Sequence, residues 1–259
     1  MAETIAVLSL KGGTGKTTTV RTLSDVLRRV GLDVLAIDLD PQGNLSDYFD
    51  VPPDATPTIA DVLVGDAKAK AAIHDGIVPA TPILAEVERS MSGKMGRELV
   101  LRKALKDARK QHDVILIDCP PALGLLTING LVAAYWALIS SEAQYFALQG
   151  VQGALEVIEQ AKEFYNPDLE WLGVVMNIAD MRTVHSREAY EALKVHYGEK
   201  VFETVIRSSI AYAESAEKAV SILDHRPDLG ADYFALADEV LARTGLKDAR
   251  RKLKPLLAS

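Results

Sequence analysis

Six short apolar runs recur along the chain, and their spacing constrains the fold more than any other feature. The runs lie at residues 5–8, 34–37, 114–117, 137–139, 172–176 and 201–206. Several are continuous rather than alternating, as in parallel strands that are covered on both faces. Helix-length segments lie between them, at residues 16–30, 98–111, 147–165, 186–197 and 231–244. This alternation predicts an α/β fold, with a doubly wound, mostly parallel sheet flanked by helices on both faces.

Length and composition favour a single soluble domain over residues 1–259. Of the 259 residues, 48% are hydrophobic and 25% are charged, so the chain can bury one sizeable core. The one cysteine, Cys119, excludes an internal disulfide and favours a reducing, cytoplasmic setting. No apolar run approaches the length of about 18 residues that a membrane span needs. A formal net charge of −7 argues against a surface that coats nucleic acid all round, although it leaves room for a local basic face.

The stretch "LKGGTGKTTT", residues 10–19, directly follows the first apolar run and begins the first predicted helix. It meets the phosphate-loop pattern G-x-x-x-x-G-K-[ST] at Gly15, Lys16 and Thr17, but Leu10 occupies the first glycine position. Backbone N–H groups at the start of such a helix can surround a phosphate. We expect Lys16 to reach the β- and γ-phosphates of a nucleotide and the Thr17 hydroxyl to bind Mg²⁺.

Two further motifs end predicted strands with aspartates. "DLDPQGN", residues 38–44, places Asp38 and Asp40 two residues apart, so we expect both carboxylates to point towards the phosphates. Asp40 is the candidate for holding the attacking water, and an ordinary strand-to-helix turn is the alternative interpretation. "DVILIDCPP", residues 113–121, ends an apolar strand with Asp118, which is typical of a carboxylate that supports Mg²⁺ through a water. Since parallel strands end at one edge of a sheet, the three motifs predict one nucleotide site.

These motifs resemble those of the ParA/Soj branch of the deviant Walker A ATPases, a P-loop superfamily that includes MinD. The resemblance is carried by the lysine before two glycines, by "DLDPQGNLS" and by "DCPPALGLLTINGL", and it extends from about residue 4 to residue 244. The family tolerates other residues at the Leu10 position. Its lysine at the Lys11 position crosses the interface of an ATP-bound sandwich dimer and contacts the partner's phosphates. The resemblance therefore implies ATP and Mg²⁺ as cofactors, and Lys11, Lys16 and Asp40 as catalytic residues.

The resemblance also implies a set of nucleotide and metal contacts. Those to the nucleotide are Lys11, Gly12, Gly13, Thr14, Gly15, Lys16, Thr17 and Thr18 around the phosphates, and Asn177, Arg207 and Ser209 beside the adenine. Thr17 and Asp118 are the implied metal ligands. Some positions depart from the family pattern: Gln144 and Gln149 replace acids, Tyr135 replaces an aspartate, Ser140 replaces a proline, and the proline before the Arg207 position is absent.

Relatives of this family bind DNA nonspecifically as ATP-bound dimers, through Lys and Arg side chains of the C-terminal half. The candidates here are Arg182, Arg187, Lys194, Lys218, Arg250 and Arg251, with Lys200, Arg207 and Lys252 as further cations. Ala211 occupies a position where many relatives carry an arginine. Residues 247–259 form a basic tail that can be flexible, and residues 247–254 hold its densest cluster, with five Lys or Arg against one Asp.

The resemblance implies a slow ATPase that a ParB-like centromere-binding partner stimulates, and that drives chromosome or plasmid segregation in the cytoplasm, on the nucleoid. A positioning ATPase for a non-DNA cargo or a division site is the alternative, because it would share the same core motifs. A nucleotide switch that scarcely hydrolyses ATP is a third hypothesis. The tail could also be interpreted as a membrane anchor like that of MinD, but it lacks aromatic residues and Pro255 interrupts any helix. We therefore expect no membrane binding.

Overall fold

The computed structural model describes residues 2–144 and 146–257, and a seven-stranded sheet organises these residues. The strands are β1 (Glu3–Leu8), β2 (Val34–Asp38), β3 (Ile77–Val78), β4 (Val114–Asp118), β5 (Trp136–Glu142), β6 (Glu170–Ala179) and β7 (Val201–Arg207). They lie in the order β3-β2-β4-β1-β5-β6-β7, and each pair of neighbours is parallel. The predicted doubly wound α/β fold is confirmed, and six of the strands contain the predicted apolar runs.

Helices cover both faces of this sheet. They are α1 (Lys16–Arg29), α2 (Asn44–Tyr48), α3 (Ile59–Val64), α4 (Ile83–Met91), α5 (Val100–Ala104), α6 (Ala108–Gln111), α7 (Leu125–Ala133), α8 (Ala147–Phe164), α9 (Val184–Tyr197), α10 (Ala211–Glu217), α11 (Ile222–His225), α12 (Pro227–Arg243) and α13 (Lys247–Leu253). Short 3₁₀ turns lie at Ala69–Ala72, Arg97–Leu99, Gly198–Lys200 and Lys254–Leu257. Helices α3 to α9 contribute buried residues to the core on one face, while α1, α2 and α10 to α13 contribute to the core on the other.

The central strands are buried on both faces, which explains why their sequences read as continuous apolar runs. In β1, Ile5 and Val7 pack in the core beneath α1 and α12, whereas Ala6 and Leu8 pack in the opposite core. Successive strand residues point to opposite faces, so a strand between two helical layers needs apolar residues at every position.

Three elements differ from the sequence expectation. The edge strand β3 has only two residues, which is too short to give a pattern. Helix α7 was not predicted, because most of its residues are buried and its sequence therefore lacks the polar face of an amphipathic helix. The single helix predicted at residues 98–111 is wrong, since a 3₁₀ turn, α5, a turn and α6 occupy this segment. Buried Asn129 of α7 explains why this segment does not begin as a regular helix. The Asn129 side chain accepts from the Leu101 N–H at 3.1 Å and donates to the Arg97 carbonyl at 2.9 Å.

The basic tail packs against the body where the structure describes it. Ala249 and Leu253 of α13 are buried in the core beneath α12, and Arg250 pairs with Asp238 of α12 at 2.8 Å. Met1, Tyr145, Ala258 and Ser259 of the predicted domain lie outside the described residues. Among the described residues, every helix is too short or too polar to cross a membrane.

Candidate active site

The loop between β1 and α1 forms an open cradle at the carboxyl edge of the sheet. Gly13 and Gly15 have left-handed φ values of 75° and 80°, a conformation that favours glycine. A Cβ added at Gly12 or Gly13 would meet nothing within 4 Å, so the backbone borders free space there. Gly15 caps the start of α1, whose first N–H groups lack helical partners, and Lys16 lines the adjoining cleft. This arrangement suits a phosphate group.

Thr17 and Asp118 meet beside the cradle. The Thr17 hydroxyl donates to Asp118 Oδ2 at 2.7 Å. Asp118 is 1% exposed, and its Oδ1 is buried without a hydrogen-bond partner in the part of the chain that the structure describes. Burial raises the pKa of Asp118 to about 8, and the nearby Asp38 carboxylate adds to this effect. An oxygen pair with an unsatisfied buried acceptor suits Mg²⁺, because this cation prefers oxygen ligands and takes few of them from the protein.

The two aspartates at the end of β2 have different surroundings, so the expectation that both point to the phosphates is wrong for Asp38. Buried Asp38 accepts from the Asp40 N–H at 3.0 Å, and from the N–H and hydroxyl of Ser46 at 3.0 and 2.8 Å. Burial raises the pKa of Asp38 to about 6. Asp40 lies beyond the end of the strand, lines the cleft and accepts from the Gln42 N–H at 3.0 Å. Asp38 therefore holds the turn, and Asp40 presents a carboxylate to the cleft.

The cleft has a volume of about 760 Å³ and collects most of the predicted nucleotide residues. Its lining includes residues 12–18, Asp40, Asn177, Arg207 and Ser209. At the far end, Ile206, Tyr212 and Tyr233 provide an apolar and aromatic wall that suits a flat ring. Arg207 is held beside this wall by an ion pair of 2.9 Å with Asp232.

Ser140 departs from the family pattern, and the sequence alone predicts no role for it. The Ser140 hydroxyl donates to the Thr14 carbonyl at 2.6 Å and accepts from Asn177 Nδ2, also at 2.6 Å. Asn177 also donates to the Thr19 hydroxyl at 3.3 Å, so a buried network joins the phosphate loop, α1 and β6. In the sequence, this network is indicated by Ser140, a polar residue inside an apolar strand, because a buried polar side chain needs a hydrogen-bond partner.

Lys11, a predicted nucleotide contact, lies outside the cleft. Its Nζ pairs with Glu142 Oε2 at 3.0 Å and donates to Gln144 Oε1 at 2.7 Å. The Lys11 side chain is 61% exposed, and it lines a separate, small pocket beside β5. The two lysines of the loop are therefore divided, with Lys16 in the cleft and Lys11 on the outer rim.

Most of the cations predicted to contact DNA already have intramolecular partners. Arg182 pairs with Asp180 at 2.9 Å, Lys194 pairs with Glu203, and Arg251 pairs with Asp248 at 2.5 Å. Arg250 pairs with Asp238, as described above. Arg187 donates to the carbonyl groups of Met181 and Arg182 at 3.1 and 2.8 Å. These contacts reduce the charge that the C-terminal half offers to an outside anion.

Comparison with known proteins gives consistent similarities. The model of an AAA domain family, AAA_31, matches residues 2–171. The chromosome-partitioning ATPase Soj of Thermus thermophilus is 38% identical over 92% of this chain and 95% of its own length. Cobyrinic acid a,c-diamide synthase from Mycobacterium smegmatis, solved with an ATP analog and magnesium, is 36% identical with a TM-score of 0.77, covering 87% of this chain and 96% of its own. The septum site-determining protein MinD from Pyrococcus horikoshii, solved with Mg-ADP, is 26% identical with a TM-score of 0.78, over 95% and 99%.

Proposed function

The chain belongs to the ParA/Soj family of P-loop partitioning ATPases, and from this premise we propose that it partitions DNA as an ATP-bound dimer. It hydrolyses ATP, and its cofactors are ATP and Mg²⁺. The sandwich dimer, the nonspecific binding to DNA and the ParB-like partner belong to the proposal, and so do the roles of individual residues.

The residues of the cleft have different roles in binding and hydrolysing the triphosphate. The N–H groups of the cradle and the Lys16 ammonium group bind and orient the phosphates. Thr17 and Asp118, whose Oδ1 is unsatisfied, would hold Mg²⁺, and the bound ion would supply positive charge to the phosphate oxygens. Asp40 holds the attacking water in line, since its carboxylate borders the cleft. Asn177, Arg207 and Ser209 lie at the nucleoside end, beside the aromatic wall.

The placement of Lys11 carries the proposal of a dimer. A monomer in which Lys11 pairs with Glu142 on the outer rim has one lysine, Lys16, in its own cleft. A second cation on the triphosphate would stabilise the charge that develops during hydrolysis, as an arginine finger does. Because Lys11 is exposed and faces outwards, it is suited to reach the cleft of a second copy. Dimerisation and hydrolysis would then be coupled.

We infer that the dimer, rather than the monomer, binds DNA, because two copies double the number of cations that face one duplex. Turnover is slow without a ParB-like, centromere-binding partner, which completes the site at the dimer interface. This part of the proposal comes from the family, and the local basic clusters on an acidic chain support it.

The test is DNA binding by the purified protein with ATP, with ADP and without nucleotide, across a salt series. Binding that requires ATP, weakens steeply with salt and is lost in Lys11→Ala would support a dimer-gated contact with DNA phosphates. Lys70→Ala serves as the control, because it removes an exposed lysine that lies outside both the phosphate loop and the basic tail. Normal ATP turnover without DNA binding under any nucleotide would contradict the proposal and favour the positioning of another cargo.

A further inference from the structure

A buried hydrogen bond joins two helices that both border the cleft, α2 and α10. Tyr48 is the last residue of α2 and is 1% exposed, and Ser215 of α10 is completely buried. Their hydroxyl oxygens lie 2.5 Å apart. Neither residue belongs to the predicted nucleotide site, so this buried polar pair needs an explanation of its own.

A third group determines the direction of this hydrogen bond. The Ser215 hydroxyl donates its proton to the Tyr212 carbonyl at 3.0 Å. Because a serine hydroxyl has one proton to donate, the Tyr48 hydroxyl is the donor between the two side chains. Burial raises the pKa of Tyr48, which therefore keeps this proton. The two hydrogen bonds form a hydroxyl bridge, which runs from Tyr48 through Ser215 to the backbone of Tyr212.

At one end of the hydroxyl bridge, α2 continues directly from the turn that carries Asp40. The Gly43 N–H donates to the Asp40 carbonyl at 2.9 Å, and Gly43 immediately precedes the helix. Helix α2 has only five residues, so its own hydrogen bonds stabilise it weakly. Its position therefore depends on contacts at both ends. Ser46 binds buried Asp38 near the start of the helix, and Tyr48 binds α10 at its end.

At the other end of the hydroxyl bridge, α10 forms part of the wall that suits a flat ring. Tyr212, Ala213 and Ala216 of this helix line the cleft. The Tyr212 ring packs edge to face against the Tyr233 ring, and the ring centres lie 6.1 Å apart. The bridge ends on the backbone of Tyr212, so a base that packs against this wall would also hold the end of the bridge in place.

We propose that Tyr48 is a positioning residue, which aligns Asp40 with the triphosphate when a base holds α10 in place. The inference rests on the proposed role of Asp40 in holding the attacking water. The base fixes α10, the hydroxyl bridge fixes α2 relative to α10, and α2 fixes the turn that carries Asp40. Binding energy from the base, which is remote from the attacked phosphate, is then used to align the reacting groups.

The experiment measures kcat and KM of the full-length protein with Mg-ATP and with Mg-CTP, whose smaller base covers less of the wall. Tyr48→Phe removes the donor of the bridge, Ser215→Ala removes the acceptor, and the double variant removes both. Tyr190→Phe is the matched control, since its hydroxyl also joins two elements, through bonds from α9 to Phe202 and Glu203 of β7. Thermal unfolding of every variant measures the stability that each hydroxyl contributes.

We expect Tyr48→Phe and Ser215→Ala each to lower kcat with ATP about tenfold, because a misaligned group loses much of its effect. KM for ATP should change by less than about threefold, since the contacts that bind the nucleotide remain. The kcat with CTP should hardly fall, so the preference for ATP over CTP shrinks. The double variant should resemble the single variants, because both changes break the same bridge. Tyr190→Phe should keep the wild-type preference even if its stability falls.

An equal loss of kcat with both nucleotides, or an unchanged kcat with ATP in Tyr48→Phe, would overturn the inference. The variant Asp40→Ala separates this result from a failure of the proposed function. If Asp40→Ala loses turnover while Tyr48→Phe keeps it, the role of Tyr48 alone is contradicted. Turnover that survives in Asp40→Ala would instead contradict the proposed role of Asp40, and the role of Tyr48 with it.

Discussion

At the scale of single residues, the burial of Asp118 opposes the role proposed for its carboxylate. A bound cation would remove this conflict. The group is needed in its ionised form to hold Mg²⁺, yet burial and Asp38 raise its pKa to about 8. In the unfolded chain the carboxyl has an ordinary pKa near 4. Its contribution to stability is therefore fully present below about pH 4 and is lost as the pH rises through about 8. Bound Mg²⁺ would reverse this loss, since it stabilises the ionised form.

The variant Asp118→Asn tests this account. Without nucleotide, we expect the melting temperature of the wild type to fall between pH 5 and pH 9, and that of the variant to fall less. A smaller fall remains in both, because the pKa of Asp38 is also raised, to about 6. The measurement is thermal unfolding across this pH range, with and without Mg-ATP. A variant that is clearly less stable than the wild type at pH 8, or that keeps its stabilisation by Mg²⁺, would contradict the account.

At the scale of secondary-structure elements, one glycine of β6 allows a close approach of Lys200, Phe202 and Arg243 to the strand. Gly173 has a left-handed φ of 146° and pairs with Leu138, next to a register shift between β5 and β6. A Cβ at this position would overlap the Lys200 carbonyl and the Arg243 guanidinium, and would lie 2.9 Å from the Phe202 ring. Both the backbone conformation and the space around it therefore require glycine.

Gly173→Ala should lower the free energy of unfolding by at least about 2 kcal/mol, because strain and overlap act together. Gly150→Ala on α8 is the matched control, since an added Cβ meets nothing within 4 Å there. In a helix, that change should be neutral or stabilising by up to about 1 kcal/mol. Denaturation in urea measures both values. Equal stabilities for the two variants would show that the close approach at Gly173 is not important.

Also at this scale, the boundary errors of the sequence prediction have physical causes. Periodicity identified six of the seven strands of the sheet, because all of these except the edge strand β7 are buried over most of their length. It did not identify β3, which has two residues, or the interruption of the helix before β4. That interruption depends on buried Asn129, which is distant in sequence from the segment whose N–H and carbonyl groups it binds. Local patterns do not contain such long-range hydrogen bonds.

At the scale of the whole molecule, the sequence predicted which residues form the cleft better than it predicted their contacts. The motifs placed residues 12–18 and Asp40 correctly, because strand ends of a parallel sheet share one edge. The pairing of Lys11 with Glu142 and Gln144 could not be predicted, since it joins the loop after β1 to the end of β5 and the residues that follow it.

The central claim is that Lys11 of one chain acts on the nucleotide of another, and molar mass in solution tests it most directly. Light scattering would be measured with ADP and with ATP on Asp40→Ala, in which slow turnover should preserve the ATP complex, with and without an added Lys11→Ala. We predict a rise from one chain of 28.1 kDa to two chains with ATP only, and one chain under all conditions once Lys11 is removed. Lys247→Ala in the same background should dimerise normally. A dimer that forms without Lys11, or an ATP-bound protein that stays monomeric with Lys11 present, would contradict the claim.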